Sequence, residues 1–248
     1  MRPVPRRLLR RNIPNLITSG NLLCGMMALL MAMKGHLNTA CWLIPLSMVF
    51  DFCDGLAARA LDVSSDFGGE FDSLGDVVSF GVAPAVLIYS AYEGALSEGV
   101  LFVLCLFFPL CGALRLARYN VSAHHPKGFF RGLPIPAAGL CMVGCVFVKD
   151  WLPPSVMAGL MATTGLLMVS SVPFGNLKGV TTTHANRQRL AALATFLVVT
   201  LSLARSAGFF VLMVLYVASG LFSFDLSGWL TKCKGGTPSD LESSNSEE

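Results

Sequence analysis

Long apolar stretches recur along the chain, separated by short polar or basic stretches. A helix needs about 20 mostly apolar residues to cross a bilayer, and the pattern predicts eight such spans. They lie near residues 15–33, 39–61, 71–92, 99–117, 134–150, 155–174, 189–204 and 207–230. The fifth and seventh have the shortest apolar centres. We therefore expect an all-α fold, a polytopic membrane helical bundle.

Lysine and arginine are distributed unevenly between the two sides that these spans define. With the first residues placed inside, only Lys34, Lys149 and Arg205 of the 18 basic residues fall outside. An excess of basic residues is typical of the cytoplasmic loops of membrane proteins. The distribution predicts a multi-pass protein of a cell (inner) membrane, with both termini in the cytoplasm.

The composition agrees with this location and indicates three regions. Hydrophobic residues make up 54% of the chain and charged residues 13%, with a mean hydropathy of +0.64, whereas soluble domains carry about 25% charged residues. The eight cysteines form no CxxC pair, and seven lie in apolar stretches, so we expect neither a zinc site nor a disulfide framework. We predict a basic cytoplasmic segment over residues 1–12, one membrane domain over 13–231 and a disordered acidic cytoplasmic tail over 232–248.

Four aspartates concentrate around the predicted turn between the second and third spans. Asp51 and Asp54 are three positions apart and Asp72 and Asp76 four apart, so each pair shares a helix face. Because the turn makes the two helices antiparallel neighbours, we expect the four carboxylates to converge at the cytoplasmic end of the bundle. This much charge near lipid needs compensation. Hard oxygen ligands beside a phosphate suit Mg²⁺ or Mn²⁺.

The residues between the aspartates favour a phosphate site. Gly55 and Gly68 leave room for a ligand close to the backbone, and Arg59 can neutralise a phosphate. Single acidic residues at helix ends often only face water, but four at helical spacing fit that interpretation poorly. A cation-coupled membrane transporter also places carboxylates on facing helices. The position of these acids at one end of the bundle favours phosphate chemistry, and the transporter stays open as the alternative at this point.

The order Asp51-x2-Asp54-Gly55-x2-Ala58-Arg59-x8-Gly68-x3-Asp72-x3-Asp76 resembles the complete signature of the CDP-alcohol phosphotransferase family, without a departure. The resemblance implies a six-helix core, here followed by two further spans, and a homodimer. It implies that Asp51, Asp54 and Asp72 bind Mg²⁺ or Mn²⁺ and that Asp76 is the catalytic base with an additional ligand role. It also implies that the cytidine diphosphate is bound by Gly55, Ala58, Arg59, Gly68 and Ser73.

Residues 13–25, 72–84, 113–120 and 132–137 resemble the branch of this family that uses serine as the acceptor. That resemblance implies CDP-diacylglycerol and L-serine as substrates, membrane lipids as surroundings and a role in phospholipid biosynthesis. Glycerol 3-phosphate or inositol is the alternative acceptor, and no nucleic-acid partner is expected. Arg115 and Arg118 share a face of the fourth span, where a guanidinium fork can bind a carboxylate or a lipid phosphate. The other interpretation of both arginines is that they anchor the span to lipid headgroups.

Overall fold

A computed structural model describes residues 6–63, 65–121 and 129–175, together with six single residues between 208 and 217. The helices of residues 6–175 are α1 (Arg6–Met33), α2 (Leu37–Leu61), α3 (Asp66–Asp76), α4 (Ala83–Tyr92), α5 (Glu98–Val121), α6 (Ile135–Phe147) and α7 (Pro154–Val169). A π-helical segment, Val77–Val82, connects α3 directly to α4. Residues 66–92 therefore form one continuous helix.

Four of these helices are long and apolar enough to cross a membrane: Asn12–Met33, Leu37–Leu61, Asp66–Tyr92 and Glu98–Val121. Helices α6 and α7 are also apolar but shorter. The first six predicted spans are thus helical, and four of them have full spanning length. The predicted span 189–204 and the tail 232–248 lie outside the described residues, and the span 207–230 is described at only six positions. Eight spans therefore remain a prediction.

The π segment lies at the centre of the bundle. Its residues Ser79, Phe80 and Gly81 are buried, and it packs against α1, α5 and α6. Helix α6 approaches so closely that a Cβ atom on Gly139 would lie 2.5 Å from the backbone oxygen of Phe80. Small residues allow membrane helices to pack at such short distances. Because the π segment follows Asp76 directly, this packing fixes the end of α3 that carries the last aspartate of the signature.

A short antiparallel strand pair adds to the helical bundle. Strand β1 (Phe129–Arg131) pairs with β2 (Pro173–Gly175). Gly132 follows β1 with a φ of 81°, and its N–H donates to the backbone oxygen of Val172 at 2.9 Å. Glycine adopts this left-handed conformation without steric cost. The all-α prediction describes the bundle correctly but misses this pair, because three residues are too few to show the alternation of a strand.

Candidate metal and nucleotide site

Three of the four predicted aspartates come together between α2 and α3. One carboxylate oxygen from each of Asp51, Asp72 and Asp76 lies within 4.8 Å of the others. Asp51 and Asp72 are half-buried, and Asp76 is only 7% exposed. Oxygen donors so close together fit the coordination preferences of Mg²⁺ and Mn²⁺. Among the described residues, this is the acidic group with a geometry suited to a shared ion, and we call it the acidic triad.

Asp54 lies one turn further along α2 and contacts α1. It is buried, and its Oδ2 accepts a hydrogen bond from the hydroxyl of Thr18 at 2.7 Å. Asp54 lies outside the acidic triad as these distances define it, and its predicted role as a metal ligand stays a prediction. The residue lies instead in the wall of a neighbouring pocket.

This pocket lies where α1, α2 and the start of α3 meet, and we call it the signature pocket. Its volume is about 230 Å³, and its lining consists of Pro14, Asn15, Thr18, Asp54, Gly55, Ala58, Val63, Ser65, Gly68, Gly69 and Asp72. Ligand pockets that enclose a whole small molecule usually reach about 300–1,000 Å³, so this space takes only part of a nucleotide. Asp72 belongs both to this lining and to the acidic triad. The pocket and the triad are thus adjoining parts of one site.

Three residues predicted to bind cytidine diphosphate, Gly55, Ala58 and Gly68, line the signature pocket. Arg59 is exposed and is not part of the lining, but its side chain bends back toward the pocket. Its Nη1 lies 3.6 Å from the position that a Cβ atom on Gly55 would take. A guanidinium in this place lies within reach of an anion held at the pocket.

The turn between α2 and α3 brings these residues together. Asp62 ends α2 in a left-handed conformation with a φ of 51°. Ser65 then caps α3, because its Oγ accepts a hydrogen bond from the backbone N–H of Gly68 at 3.0 Å. Serine is among the preferred N-cap residues. The start of α3 therefore faces the signature pocket, and a helix N-terminus favours a negatively charged ligand.

The two neighbouring glycines in the first turn of α3 allow a matched test of this cap. A Cβ atom on Gly68 would lie 3.0 Å from both Asn15 Oδ1 and Ser65 Oγ, whereas a Cβ atom on Gly69 would meet nothing within 4 Å. We expect Gly68→Ala to lower the thermal unfolding midpoint in detergent, since losing a cap costs about 1 kcal/mol. Gly69→Ala should leave the midpoint unchanged or raise it, because alanine favours a helix over glycine. Equal midpoints for the two variants would contradict this account of the cap.

Ser73, also predicted to bind cytidine diphosphate, contacts α5 instead of the signature pocket. Its hydroxyl donates to the backbone oxygen of Gly69 at 3.0 Å and accepts a hydrogen bond from Asn120 Nδ2 at 3.1 Å. The same Asn120 amide donates to Glu70 Oε2 at 3.2 Å. The polar contact between Ser73 and Asn120 thus joins the end of α5 to α3.

The two arginines of α5 have different surroundings. Arg118 donates from Nη1 to the backbone oxygen of Val169 at 2.8 Å and from Nη2 to that of Ser170 at 3.1 Å. These bonds satisfy carbonyl groups at the end of α7, where the helix has no internal donors left. Arg115 is only 7% exposed. An ionisable residue buried within a membrane helix usually has a functional role, so the structure distinguishes Arg115 from Arg118 although both share a predicted face.

Asn21 is the site residue that the sequence-based site prediction missed. It is completely buried in α1, and its Nδ2 donates to Asp76 Oδ1 at 3.1 Å. In the sequence, Asn21 is a polar residue in the middle of an apolar span, within the stretch 13–25 that resembles the serine branch. Polar residues in such a position commonly serve only to join helices.

Comparisons with known proteins agree with this arrangement. Residues 11–177 match the model of the CDP-alcohol phosphatidyltransferase family. A Methanocaldococcus jannaschii protein named CDP-diacylglycerol–serine O-phosphatidyltransferase is 44% identical over 163 residues, which cover 65% of this chain and 73% of that protein. Proteins of the same name from Bacillus subtilis and Helicobacter pylori are 40% identical over 169 residues and 37% identical over 174. Each alignment covers 67% of this chain, and they cover 91% and 73% of those proteins.

The family match extends over the whole signature from Asp51 to Asp76 and over all seven described α-helices except the first residues of α1. The site is an acidic triad beside a pocket lined by the signature glycines, in a bundle of apolar helices. The chain belongs to the CDP-alcohol phosphatidyltransferase family of membrane enzymes.

Proposed function

We propose that this enzyme transfers the phosphatidyl group of CDP-diacylglycerol to L-serine, giving phosphatidylserine and CMP for phospholipid biosynthesis. The observation that carries the proposal is the direct connection, through Asp72, between the acidic triad and the signature pocket. The choice of serine is supported by the names of the relatives at 37–44% identity. Attack of a hydroxyl on the donor phosphorus needs no covalent enzyme intermediate, because both substrates are bound together.

Asp51, Asp72 and Asp76 would hold a divalent cation, Mg²⁺ or Mn²⁺, since they offer three grouped carboxylates. Asp54 contributes a fourth carboxylate at the pocket wall. When bound, such an ion neutralises negative charge that develops on the pyrophosphate and on the leaving CMP.

The protein's own groups bind and orient the two substrates. The backbone N–H groups at the start of α3 and the guanidinium of Arg59 attract the pyrophosphate to the signature pocket. Gly55, Ala58 and Gly68 leave the space that it occupies. Asp76 takes the proton from the serine hydroxyl, and the oxygen then attacks the phosphorus that carries diacylglycerol. Ser73 supports this site by joining α3 to α5.

Arg115 is the residue best placed to bind the serine carboxylate. It precedes Asn120 by five residues, which is about 7.5 Å along an α-helix, and Asn120 contacts Ser73 on α3. Helix α5 follows α4 after a turn of residues 93–97 and packs against it and against the π segment. Helix α5 thus runs in the opposite direction to the continuous helix 66–92. Arg115 therefore lies at about the same depth in the bundle as the residues that follow Asp76. A buried guanidinium at this depth can bind a carboxylate through two hydrogen bonds.

Arg115→Lys keeps the positive charge but removes the guanidinium fork. We expect the apparent KM for serine to rise at least about tenfold, since losing a hydrogen bond to a charged group costs about 1.5–3 kcal/mol, while the KM for CDP-diacylglycerol changes little. Arg118→Lys is the matched control, because Arg118 donates to the backbone oxygens of Val169, the last residue of α7, and of Ser170, which follows it. It should lower the thermal midpoint and leave the serine KM nearly unchanged. A larger serine effect in Arg118→Lys than in Arg115→Lys would reverse the assignment.

We also infer the membrane location, the domain boundaries and the oligomeric state of the enzyme. The enzyme is a multi-pass protein of the cell membrane with eight spans, and its site and both termini face the cytoplasm, as the distribution of basic residues indicates. Residues 13–231 form the membrane domain, between the basic segment 1–12 and the acidic tail 232–248. The working unit is a homodimer, as the family resemblance implies.

Purified protein supplied with CDP-diacylglycerol and Mn²⁺ tests the acceptor directly. We expect CMP release to depend on serine and to be much slower with inositol or glycerol 3-phosphate. Faster CMP release with inositol or with glycerol 3-phosphate would show that this compound, and not serine, is the acceptor. Release that needs no acceptor would indicate a hydrolase. Solute uptake into sealed vesicles without cleavage of the CDP-lipid would support the transporter instead.

A further inference from the structure

A buried polar network contacts Asp76 through residues that do not line the signature pocket. It consists of Asn21 on α1, Ser47 on α2 and Ser79 in the π segment, each of them 0% exposed. Ser47 Oγ donates to Asn21, both to its side-chain Oδ1 and to its backbone oxygen, the latter at 2.9 Å. Ser79 Oγ donates to the same backbone oxygen at 3.0 Å. Three helical elements thus meet at one asparagine.

The hydrogen bonds determine which way the Asn21 amide faces. The amide nitrogen Nδ2 can only donate hydrogen bonds, and it donates to a carboxylate oxygen of Asp76. The amide oxygen Oδ1 accepts a hydrogen bond from the hydroxyl of Ser47. The reversed amide would direct a carbonyl oxygen at the carboxylate, which repels it, whereas the Ser47 hydroxyl can bond either end of the amide because it both donates and accepts. The Asp76 carboxylate therefore favours the orientation that directs an N–H at it, and in this orientation Ser47 donates to Oδ1.

We propose that Asn21 is a positioning residue that holds the Asp76 carboxylate in the orientation grouping it with Asp51 and Asp72, and that Ser47 holds Asn21. The proposal rests on the metal site of the proposed function. Asn21 occupies one direction of approach to Asp76 Oδ1, and the remaining lone pairs of the carboxylate stay available to a cation at the acidic triad. Ser79 has a different role: it bonds only the backbone of Asn21 and contributes to helix packing.

Two features make this positioning necessary. Asp76 is the most buried member of the acidic triad, so water cannot fix its orientation by hydrogen bonding. Asp51 and Asp72 repel its charge and would turn the carboxylate away when no cation is bound. The hydrogen bond from Asn21 Nδ2 to Asp76 Oδ1 opposes that rotation. Residues that orient a metal ligand through a hydrogen bond typically contribute about 10–100-fold to metal affinity or activity.

The test is a titration of the purified full-length protein in detergent with Mn²⁺ alone, with free Mn²⁺ measured by electron paramagnetic resonance. Asn21→Leu replaces the amide by an apolar group of similar size. We expect it to raise the Mn²⁺ dissociation constant at least about tenfold. Ser47→Ala removes the hydroxyl that bonds both the side-chain and the backbone oxygen of Asn21, and it should raise the dissociation constant by a smaller but measurable factor. Ser79→Ala is the matched control, equally buried and bonded to the same backbone oxygen of Asn21 but not to its side chain, and it should bind Mn²⁺ like wild type.

The thermal midpoint of each variant separates positioning from packing. Lower midpoints in both serine variants, with weaker Mn²⁺ binding in Ser47→Ala alone, would support the proposal. Equal weakening in both serine variants, or wild-type affinity in Asn21→Leu, would overturn it. If Asn21→Leu does not fold, the comparison of the two serine variants decides. The titration contains no substrate, so failure of wild type to use serine would contradict the proposed function and leave this result unaffected, whereas absence of Mn²⁺ binding in wild type would overturn the inference.

Discussion

Asp72→Asn should reduce serine-dependent CMP release at least about 100-fold, a loss of about 2.7 kcal/mol of transition-state stabilisation. Asp72 is the aspartate shared by the acidic triad and the signature pocket. Its replacement by a neutral amide of the same shape would remove a proposed metal ligand beside the pocket proposed to bind the pyrophosphate. We expect Asp51→Asn to have a similar effect, because it removes another member of the triad. Asp54→Asn should also strongly impair turnover, since it neutralises the carboxylate in the pocket wall.

The matched control for Asp72→Asn is Asp66→Asn, the same chemical change on the same helix. Asp66 is exposed in the first turn of α3 and belongs neither to the triad nor to the pocket lining. The Asp66→Asn variant should retain most of the serine-dependent CMP release. More than about a tenth of wild-type kcat in Asp72→Asn, a loss below about 1.4 kcal/mol, would remove Asp72 from the set of metal ligands.

Asp76→Asn should stop transfer while CDP-diacylglycerol still binds. The proposed base is needed only when the serine hydroxyl loses its proton, whereas the lining of the signature pocket does not include Asp76. General base catalysis typically contributes about 10²–10⁴-fold, and loss of a triad carboxylate adds to this. The measurements are the dissociation constant of CDP-diacylglycerol and the rate of CMP release per bound donor molecule.

Counting the rate per bound donor matters, because partly unfolded protein would lower both activity and binding capacity. If donor binding and turnover fell together in Asp76→Asn, and additional Mn²⁺ restored both, Asp76 would be a metal ligand without a role as base. If turnover per bound donor stayed within about tenfold of wild type, Asp76 would have neither role.

Helical periodicity predicted correctly that the aspartates belong to two neighbouring helices, but not that Asp51 and Asp54 have different immediate neighbours. Residues at i and i+3 share a face, yet they differ by about 60° in direction and 4.5 Å in height on an α-helix. That difference is enough for Asp51 to meet α3 while Asp54 meets Thr18 of α1. Which neighbour each residue meets depends on how three helices pack, and one helix's periodicity does not contain that information.

The same limit explains the other differences between prediction and structure. The spacing of Arg115 and Arg118 predicts a shared face, but their roles separate because the end of α7 approaches Arg118. Asn21 lies 55 residues before Asp76, so no local motif joins them. The sequence could not predict the π segment for a different reason. Val77–Val82 is as apolar as an ordinary membrane helix, and the change from α-helical to π-helical hydrogen bonding leaves no pattern in the sequence.

In the proposed reaction, the serine oxygen becomes the bridge between the phosphatidyl phosphorus and the amino acid. Purified wild-type enzyme supplied with CDP-diacylglycerol, Mn²⁺ and serine carrying ¹⁸O in its hydroxyl tests this by mass spectrometry of both products. We predict one phosphatidylserine, heavier by the label, for each CMP, and CMP without label. Phosphatidic acid in place of phosphatidylserine, or CMP released at the same rate without serine, would contradict the account.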